Sequence, residues 1–303
     1  MPSPNPPGPA PEKPLKNLAN GHLSWFLGAR TRKRRTNVVA VGYRSRFALA
    51  LAAAISLAAL SWPLLIPPGE QYAHTTDAPL VFAVMLPILV LIILAELADG
   101  GIDSKALAML AVLSGIGAAL RPLGAGLGGI EPIFFLMILA GRVFGPGFGF
   151  VLGNTTMFTS ALITGGVGPW LPFQMMAAGW LGLGAGLLPR AHRLEVPLLA
   201  AYGVVAAFLY GLVMNLWFWP FAVGYESQLS YVPGDPVWSN LQRFLAYSVA
   251  TSLGFDAGRA ITNVVLILAT GTAVLATLRR ALRRAAFDHP RPPDVTVQQI
   301  DRS

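Results

Sequence analysis

KALAMLAVLSGIGAAL, residues 105–120, runs directly into RPLGAGLGGIEP, residues 121–132, and this junction decides the fold class. The first stretch is almost wholly apolar and rich in helix-forming Ala and Leu. The second is rich in glycine and carries Arg121 and Glu131. An apolar run of this kind is typical of a helix in hydrocarbon, and the glycine-rich stretch ends it. We therefore predict a membrane helix followed by a polar loop.

The composition of the whole chain supports the same class. Of 303 residues, 54% are hydrophobic and 12% are charged, which leaves too little polar surface to solvate a globule of this size. Apolar segments lie at about 46–66, 80–98, 105–120, 133–144, 147–163, 172–189, 196–219 and 256–278. The predicted fold is an all-α integral membrane protein with about eight transmembrane segments. A two-helix hairpin, 45–99, precedes a six-helix core, 100–284.

Basic residues cluster at the two ends of the apolar region. RTRKRR at 30–35 and RRALRR at 279–284 account for much of the net charge of +8, and such runs mark the cytoplasmic side of a membrane protein. They also suit contact with anionic lipid, whereas nothing indicates nucleic-acid binding. We expect a multi-pass protein of the cell membrane with both termini in the cytoplasm, where tails 1–44 and 285–303 are disordered.

An even number of spans places four connections outside: 67–79, 121–132, 164–171 and 220–255. The weak point is the pair 133–144 and 147–163, because each is short and GPGFG, residues 145–149, joins them. The pair is compatible with two spans, a re-entrant pair or one kinked helix. Two spans are favoured, because a single kinked helix would move RRALRR to the outer side.

Several function classes lack the residues that they need. The chain has no G-x-x-x-x-G-K-[ST] loop for ATP, no G-x-S-x-G elbow and no cysteine. Its four histidines, His22, His74, His192 and His289, share no helix face, which argues against a metal site. We predict that the chain is not an enzyme and binds neither a metal nor a cofactor.

Polar and aromatic residues gather instead near the ends of the spans that are expected to face outward. The candidate solute-binding residues are Arg121, Glu131, Trp170, Gln174, Asn215, Trp217, Trp219 and Tyr225. Such residues at the rim of a helix bundle often recognise a polar solute. Two simpler roles stay open: the tryptophans suit an aromatic belt, and the two charges suit a pinned loop. The long stretch 220–255 is expected to be a lid or binding loop.

Helix 105–120 also carries small residues at every fourth position. Ala111, Gly115 and Ala119 form one stripe, and Ser114 and Ala118 form another beside it. Small residues at this spacing let a second helix approach closely in a membrane. That second helix could belong to this chain or to a partner.

The order of motifs after residue 105 resembles one transporter family. GGIEP at 128–132 is followed by ILAGRVFGPGFGFVLG at 138–153, TGGVGPWLPFQM at 164–175 and GWLGLGAGLLP at 179–189. This order, with the GP-x-x-G step at Gly145, Pro146 and Gly149, is similar to the S component of energy-coupling factor (ECF) transporters. The resemblance implies a six-helix S-component core, with the first two spans as an addition to it.

The resemblance also implies a function. S components capture vitamins and related micronutrients outside the cell and topple on a transmembrane T component, which two cytosolic ATPases drive. The partner-docking stripe would be Ala111, Gly115 and Ala119, and loop 121–132 would be a gate in which Arg121 and Glu131 clasp solute or latch the loop. A cobalamin-like corrinoid is the leading solute, ahead of riboflavin, thiamine, a folate or a queuosine precursor. The competing class is a membrane scaffold or a lipid-handling membrane enzyme.

Overall fold

A computed structural model describes residues 104–124, 128–222 and 228–286, with isolated helical positions at 47, 50, 54 and 61. The rest of the predicted hairpin 45–99, the predicted tail 1–44 and residues 287–303 of the second predicted tail lie outside the described residues. Within these ranges every regular element is a helix, so the all-α class is confirmed. The α-helices are α1 (Ser104–Leu120), α2 (Ile133–Phe144), α3 (Pro146–Thr164), α4 (Leu171–Leu187), α5 (Glu195–Phe218) and α6 (Val237–Ala286).

Three of the described helical stretches are long and apolar enough to cross a membrane. They are Lys105–Gly124, His192–Phe221 and Val237–Arg284, of 20, 30 and 48 residues. About 20 apolar residues suffice for a hydrocarbon core about 30 Å thick. The membrane-protein class therefore stands on α1, α5 and α6, each of which lies wholly or almost wholly within one of these stretches.

Helices α2 and α3 form a tight reversal about Gly145. Gly145 has a φ of 102°, a value that favours glycine, and its amide still closes α2 by donating to the Gly141 carbonyl. A Cβ on Gly149 would lie 3.0 Å from the Gly141 Cα, so the two helices run back along each other. The pair is thus two helices and not one kinked helix. With 12 residues, α2 is about 18 Å long, well short of a full span.

Helix α6 corrects the prediction for residues 220–255. The apolar pattern predicted a span at 256–278 after a long outer loop, but α6 begins at Val237, directly after Pro236, and runs for 50 residues. No glycine or proline interrupts 237–253, so the backbone is free to stay helical. Hydropathy missed this part because polar residues such as Asn240 and Ser248 are buried on the helix instead of facing water.

The core lies along α2, α3 and α4, where most residues are buried. Its largest members include Phe134, Phe144, Phe148, Phe150 and Phe173, each no more than 1% exposed. Helices α3 and α4 approach at backbone distance, since a Cβ on Gly153 would overlap the Ala178 carbonyl. In contrast, α1, α5 and α6 each keep one exposed apolar face. That difference is expected of helices at the edge of a membrane bundle.

One end of the bundle is closed by an ion cluster. Arg142, at the end of α2, donates to the Glu195 carboxylate at 2.8 Å and to the Leu188 carbonyl at 2.6 Å. Arg279 of α6 donates to both oxygens of the same carboxylate, at 2.6 and 2.7 Å. These contacts bring the ends of α2, α4 and α5 to one level, which we call the basic end.

Candidate functional site

Helices α5 and α6 are joined along their length by polar side chains on α6. Asn263 donates to the Gly203 carbonyl at 3.0 Å, and Asn215 of α5 donates to the Ser252 hydroxyl at 2.8 Å. Between these bonds lies Gly211, where a Cβ would overlap the Asp256 carboxylate. A row of small residues on α5 therefore receives a polar row on α6. Such contacts hold helices together where burying apolar side chains gains little.

Arg259 is the centre of this interface and is 6% exposed. It donates to Asp256 at 2.7 Å, to the Ala207 carbonyl at 3.3 Å, and to Glu131 at 3.1 and 3.3 Å. Its guanidinium also lies 4.9 Å from the centre of the Tyr210 ring. The two carboxylates and this aromatic face compensate a charge that would be costly to bury alone.

Sequence reasoning missed Asp256 and Arg259. Both lie in FDAGRAITN, residues 255–263, at the start of a predicted span. The apolar residues around them keep the mean hydropathy of the span high, so the two charges did not stand out. The signal was available, because ionisable residues inside an otherwise apolar span usually mark a buried pair or a pathway. What the sequence could not supply was the partner, since Glu131 is 128 positions away.

Loop 121–132 is fixed to α6 at its second half. A Cβ on Gly129 would overlap the Phe255 carbonyl, and one on Gly258 would overlap the Gly128 carbonyl. Gly128 and Gly129 also have positive φ values of 53° and 88°. Glycine is therefore required here for both backbone conformation and close approach. With the Glu131 to Arg259 contact, these residues hold the loop against the middle of the bundle.

Arg121 belongs to a separate cluster on the other side of the loop. It lies in the 3-10 turn Arg121–Gly124 that follows α1. Its Nη1 donates to the Ser160 hydroxyl of α3 at 2.7 Å, and its Nη2 donates to the Gln174 side-chain carbonyl of α4 at 2.9 Å. No ion pair joins Arg121 to Glu131 within the described residues. The two charges that the sequence placed together thus have different partners.

Helix lengths locate these clusters along the bundle. Glu131 lies 11 residues before Arg142, or about 16 Å along α2 from the basic end, and Ala207 lies 12 residues after Glu195, or about 18 Å along α5. Ser160 is 14 residues into α3, about 21 Å from the same end. The Arg259 cluster therefore sits near the middle of α5, and Arg121 lies slightly farther from the basic end.

The three candidate tryptophans have different surroundings. Trp219 is fully buried and donates to the Leu229 carbonyl at 2.7 Å, so it holds the connection after α5. Trp217 is 6% exposed and packs 5.0 Å from the Phe173 ring. Trp170 is 40% exposed and donates to the Gly166 carbonyl at 3.1 Å. Only Trp170 among the three presents a large open surface.

The connection between α5 and α6 is described on either side of residues 223–227. Tyr225 lies outside the described residues. Residues 228–236 are tied to α6, because the Asn240 amide donates to the Val232 carbonyl at 2.8 Å and accepts from the Val232 amide at 3.1 Å. Arg243 pairs with Asp235 at 2.7 Å. Nearby, partial burial raises the pKa of the Tyr231 phenol.

The small-residue stripes of α1 divide between two faces. Ser114 is buried and hydrogen-bonded to Thr155 of α3 at 2.7 Å, so its stripe packs within this chain. Ala111, Gly115 and Ala119 are all exposed, and a Cβ on Gly115 would meet nothing within 4 Å. Among the residues that the structure describes, none covers the stripe proposed for partner docking.

A groove of about 320 Å³ lies between α5 and α6, but its chemistry differs from that of the charged clusters. Val204, Phe208, Ile261 and Val265 are among its lining residues, all of which are apolar. Such a surface suits lipid chains and offers nothing to orient a polar solute. The part of the chain that the structure describes also contains no group of three His, Asp or Glu residues placed to hold a metal ion.

Comparison with protein-family models, curated proteins and solved structures finds no match to this chain. The resemblance to S components therefore remains a prediction from the sequence motifs. The contacts of Arg121, Glu131 and Arg259, and their depth in the bundle, are therefore the basis for proposing what these residues do.

Proposed function

We propose that this chain is the substrate-binding membrane subunit of an ATP-driven ECF-type importer. It would capture a vitamin-like organic solute outside the cell and release it inside after docking on a T component. The observation that carries the proposal is the gathering of charged, amide and hydroxyl groups around loop 121–132, inside a bundle that is otherwise apolar. These groups come from the loop itself and from α3, α4, α5 and α6.

The depth of this loop supports a solute site. If the basic end marks the inner boundary of the membrane, Glu131 and Arg259 lie roughly 16–18 Å from it, about halfway through a 30 Å hydrocarbon core. Non-helical backbone at that depth is stable only where protein covers it or where it borders a polar cavity. The short α2 places the loop at that depth, and the longer α5 and α6 extend beyond it.

The proposed capture step uses the loop as a gate. Glu131 holds the loop to Arg259, and its release leaves Arg259 paired with Asp256, so no buried guanidinium is left without a carboxylate. Arg121, Gln174 and the exposed Trp170 lie on the other side of the loop and are the proposed solute contacts. A ring such as Trp170 suits a flat solute, with a corrinoid as the leading candidate.

The coupling step rests on α1. Ala111, Gly115 and Ala119 form an exposed face along a helix long enough to span the membrane, and small residues permit close approach of a partner helix. The proposed partner is the T component, with two cytosolic ATPases supplying the energy. This chain lacks an ATP-binding loop of its own. In this orientation both chain termini face the cytoplasm.

Purification without added ligand tests the proposal. The full chain would be extracted in detergent, and mass spectrometry would identify any small molecule that stays bound. A vitamin-like solute in near-equal amount, confirmed by a thermal-shift titration, is the expected result. A protein that carries no solute, and whose melting temperature is not shifted by any of a panel of vitamins, would contradict the importer role. That result would favour a membrane scaffold or lipid-handling enzyme.

A further inference from the structure

Arg121 is held by neutral groups. Its two partners are the Ser160 hydroxyl and the Gln174 side-chain carbonyl, at 2.7 and 2.9 Å. The Ser160 hydroxyl in turn donates to the Met157 carbonyl at 3.0 Å, which orients its oxygen to accept from Arg121. Ser160 is fully buried, so this side of the guanidinium is rigidly placed. The contacts fix the side chain and leave its charge uncompensated.

Two other arginines that the structure describes in the same half of the bundle are paired differently. Arg259 contacts the carboxylates of Glu131 and Asp256, and Arg243 contacts that of Asp235. Across the ranges that the structure covers, Arg121 has no carboxylate within ion-pair distance. A partly buried guanidinium in a bundle this apolar is more stable when an anion accompanies it.

The hydrogen-bond donors left over around Arg121 point to the same chemistry. Its Nε–H makes no bond to a described residue, and neither does the side-chain NH₂ group of Gln174. Gln174 also lies in the first turn of α4, which begins at Leu171 and carries the positive end of the helix dipole. The place therefore offers donors and positive potential, and no described carboxylate lies within ion-pair distance of Arg121.

From these contacts we infer that Arg121 and Gln174 bind an acidic group, a carboxylate or a phosphate, on the captured solute. The inference rests on the proposed function, because it takes the anion to be part of an imported molecule. Arg121 supplies the charge and a planar pair of donors, and Gln174 supplies one further donor. A corrinoid that retains its nucleotide has such a group in its phosphodiester, whereas cobinamide does not.

Binding of matched pairs, each an acidic solute and an analogue without the acidic group, tests the inference on the full chain in detergent. The pairs are nicotinate with nicotinamide, pantothenate with panthenol, biotin with biotinamide, and cobalamin with cobinamide. The variants are Arg121→Gln, Arg121→Lys and, as a control that also removes an arginine, Arg243→Gln. Thermal melts and gel filtration would show that each variant is folded.

The expected result is that Arg121→Gln loses affinity for the acidic member of a pair and keeps its affinity for the other member. Wild type and Arg243→Gln should bind one acid more tightly than its neutral partner, and Arg121→Gln should lose about tenfold or more of the affinity for that acid alone. Arg121→Lys should fall between them, because it keeps the charge but not the planar donors. Equal binding of the acid by Arg121→Gln, or preference of the wild type for the neutral member, would overturn the inference and leave the importer role intact.

Mass spectrometry of the protein purified without ligand separates the remaining outcomes. A phospholipid retained by wild type and lost from Arg121→Gln would support the anion site but assign it to a lipid headgroup, against the importer role. A wild-type protein that retains nothing and binds no member of the panel would overturn both proposals. A retained soluble acid that is lost from Arg121→Gln would support both.

Discussion

Glu131 accepts hydrogen bonds from Nε and Nη2 of Arg259 at 3.1 and 3.3 Å, although 128 positions separate the two residues. The contact ties loop 121–132 to the middle of α6. Because Arg259 also donates to Asp256, one partner can leave while the guanidinium keeps the other. In the proposed opening of the loop, the Arg259 guanidinium would therefore keep a carboxylate partner.

Replacing Glu131→Gln should loosen the loop without unfolding the bundle. The Glu131 side chain is 35% exposed, so we expect a cost of only about 1 kcal/mol, or roughly a fivefold rise in loop opening. Hydrogen exchange measured by mass spectrometry should show faster exchange at the amides of residues 128–131. Asp235→Asn is the matched control, because Asp235 is also 35% exposed and pairs with Arg243. Equal acceleration in both variants would show that Glu131 does not hold the loop.

Replacing Arg259→Met should destabilise the protein far more. Asp256 has a side chain 7% exposed and would keep only its bond from Ser252, at 2.9 Å. Breaking a buried pair in this way costs about 3–5 kcal/mol. Thermal melts in detergent should record the loss, and the triple variant with Asp256→Asn and Glu131→Gln should recover much of it. A triple variant no more stable than the single one would mean that packing, and not charge compensation, sets the stability here.

The ion cluster at the basic end allows a similar comparison. Glu195→Gln leaves Arg142, whose side chain is 7% exposed, with only a carbonyl partner, and should cost about 3 kcal/mol. Arg279→Gln should cost less than about 1 kcal/mol, because Arg279 is 42% exposed and Glu195 keeps its bond to Arg142. Thermal melts of the two variants check the order. A larger loss of stability in Arg279→Gln than in Glu195→Gln would show that Arg279, and not Arg142, is the partner of Glu195 that matters more for stability.

The helices were predictable because their signals are local. Apolar runs gave α1 to α5 to within two residues at each end, and the GPGFG step marked the reversal at Gly145. The first part of α6 was missed because its polar residues are buried by tertiary contacts. Asn240, for example, is a residue type common in loops, but its side chain forms hydrogen bonds with both the backbone N–H and the backbone carbonyl of Val232. Hydropathy along the chain cannot show which polar residues find partners.

The candidate site was predictable in part. Arg121, Gln174 and Glu131 were predicted as solute-binding residues near one end of the spans, and that role stays a prediction; the sequence did not say that Arg121 bonds Gln174 while Glu131 bonds Arg259. Trp219 was selected because tryptophans at span ends often face a solute, yet it is fully buried. Pairing and burial depend on helix packing, and a single sequence does not contain that information in readable form.

The exposed stripe of α1 gives the sharpest test of coupling to a partner. Gly115→Leu should fold normally, because a Cβ at this position meets nothing within 4 Å and leucine favours helix more than glycine does. The added side chain would block close approach of a partner helix. We therefore expect solute binding to be unchanged and uptake by cells to fall at least tenfold, measured with the solute that co-purifies with the wild type.

The control for this variant is Ala269→Leu, which adds a similar side chain to the exposed face of α6. It should leave both binding and uptake unchanged. Equal uptake by Gly115→Leu and wild type would show that the stripe does not meet a partner that drives transport. Equal loss in both variants would point to a general effect of enlarging the lipid-facing surface. Loss in Gly115→Leu alone, with binding retained, would separate coupling from capture and place it on α1.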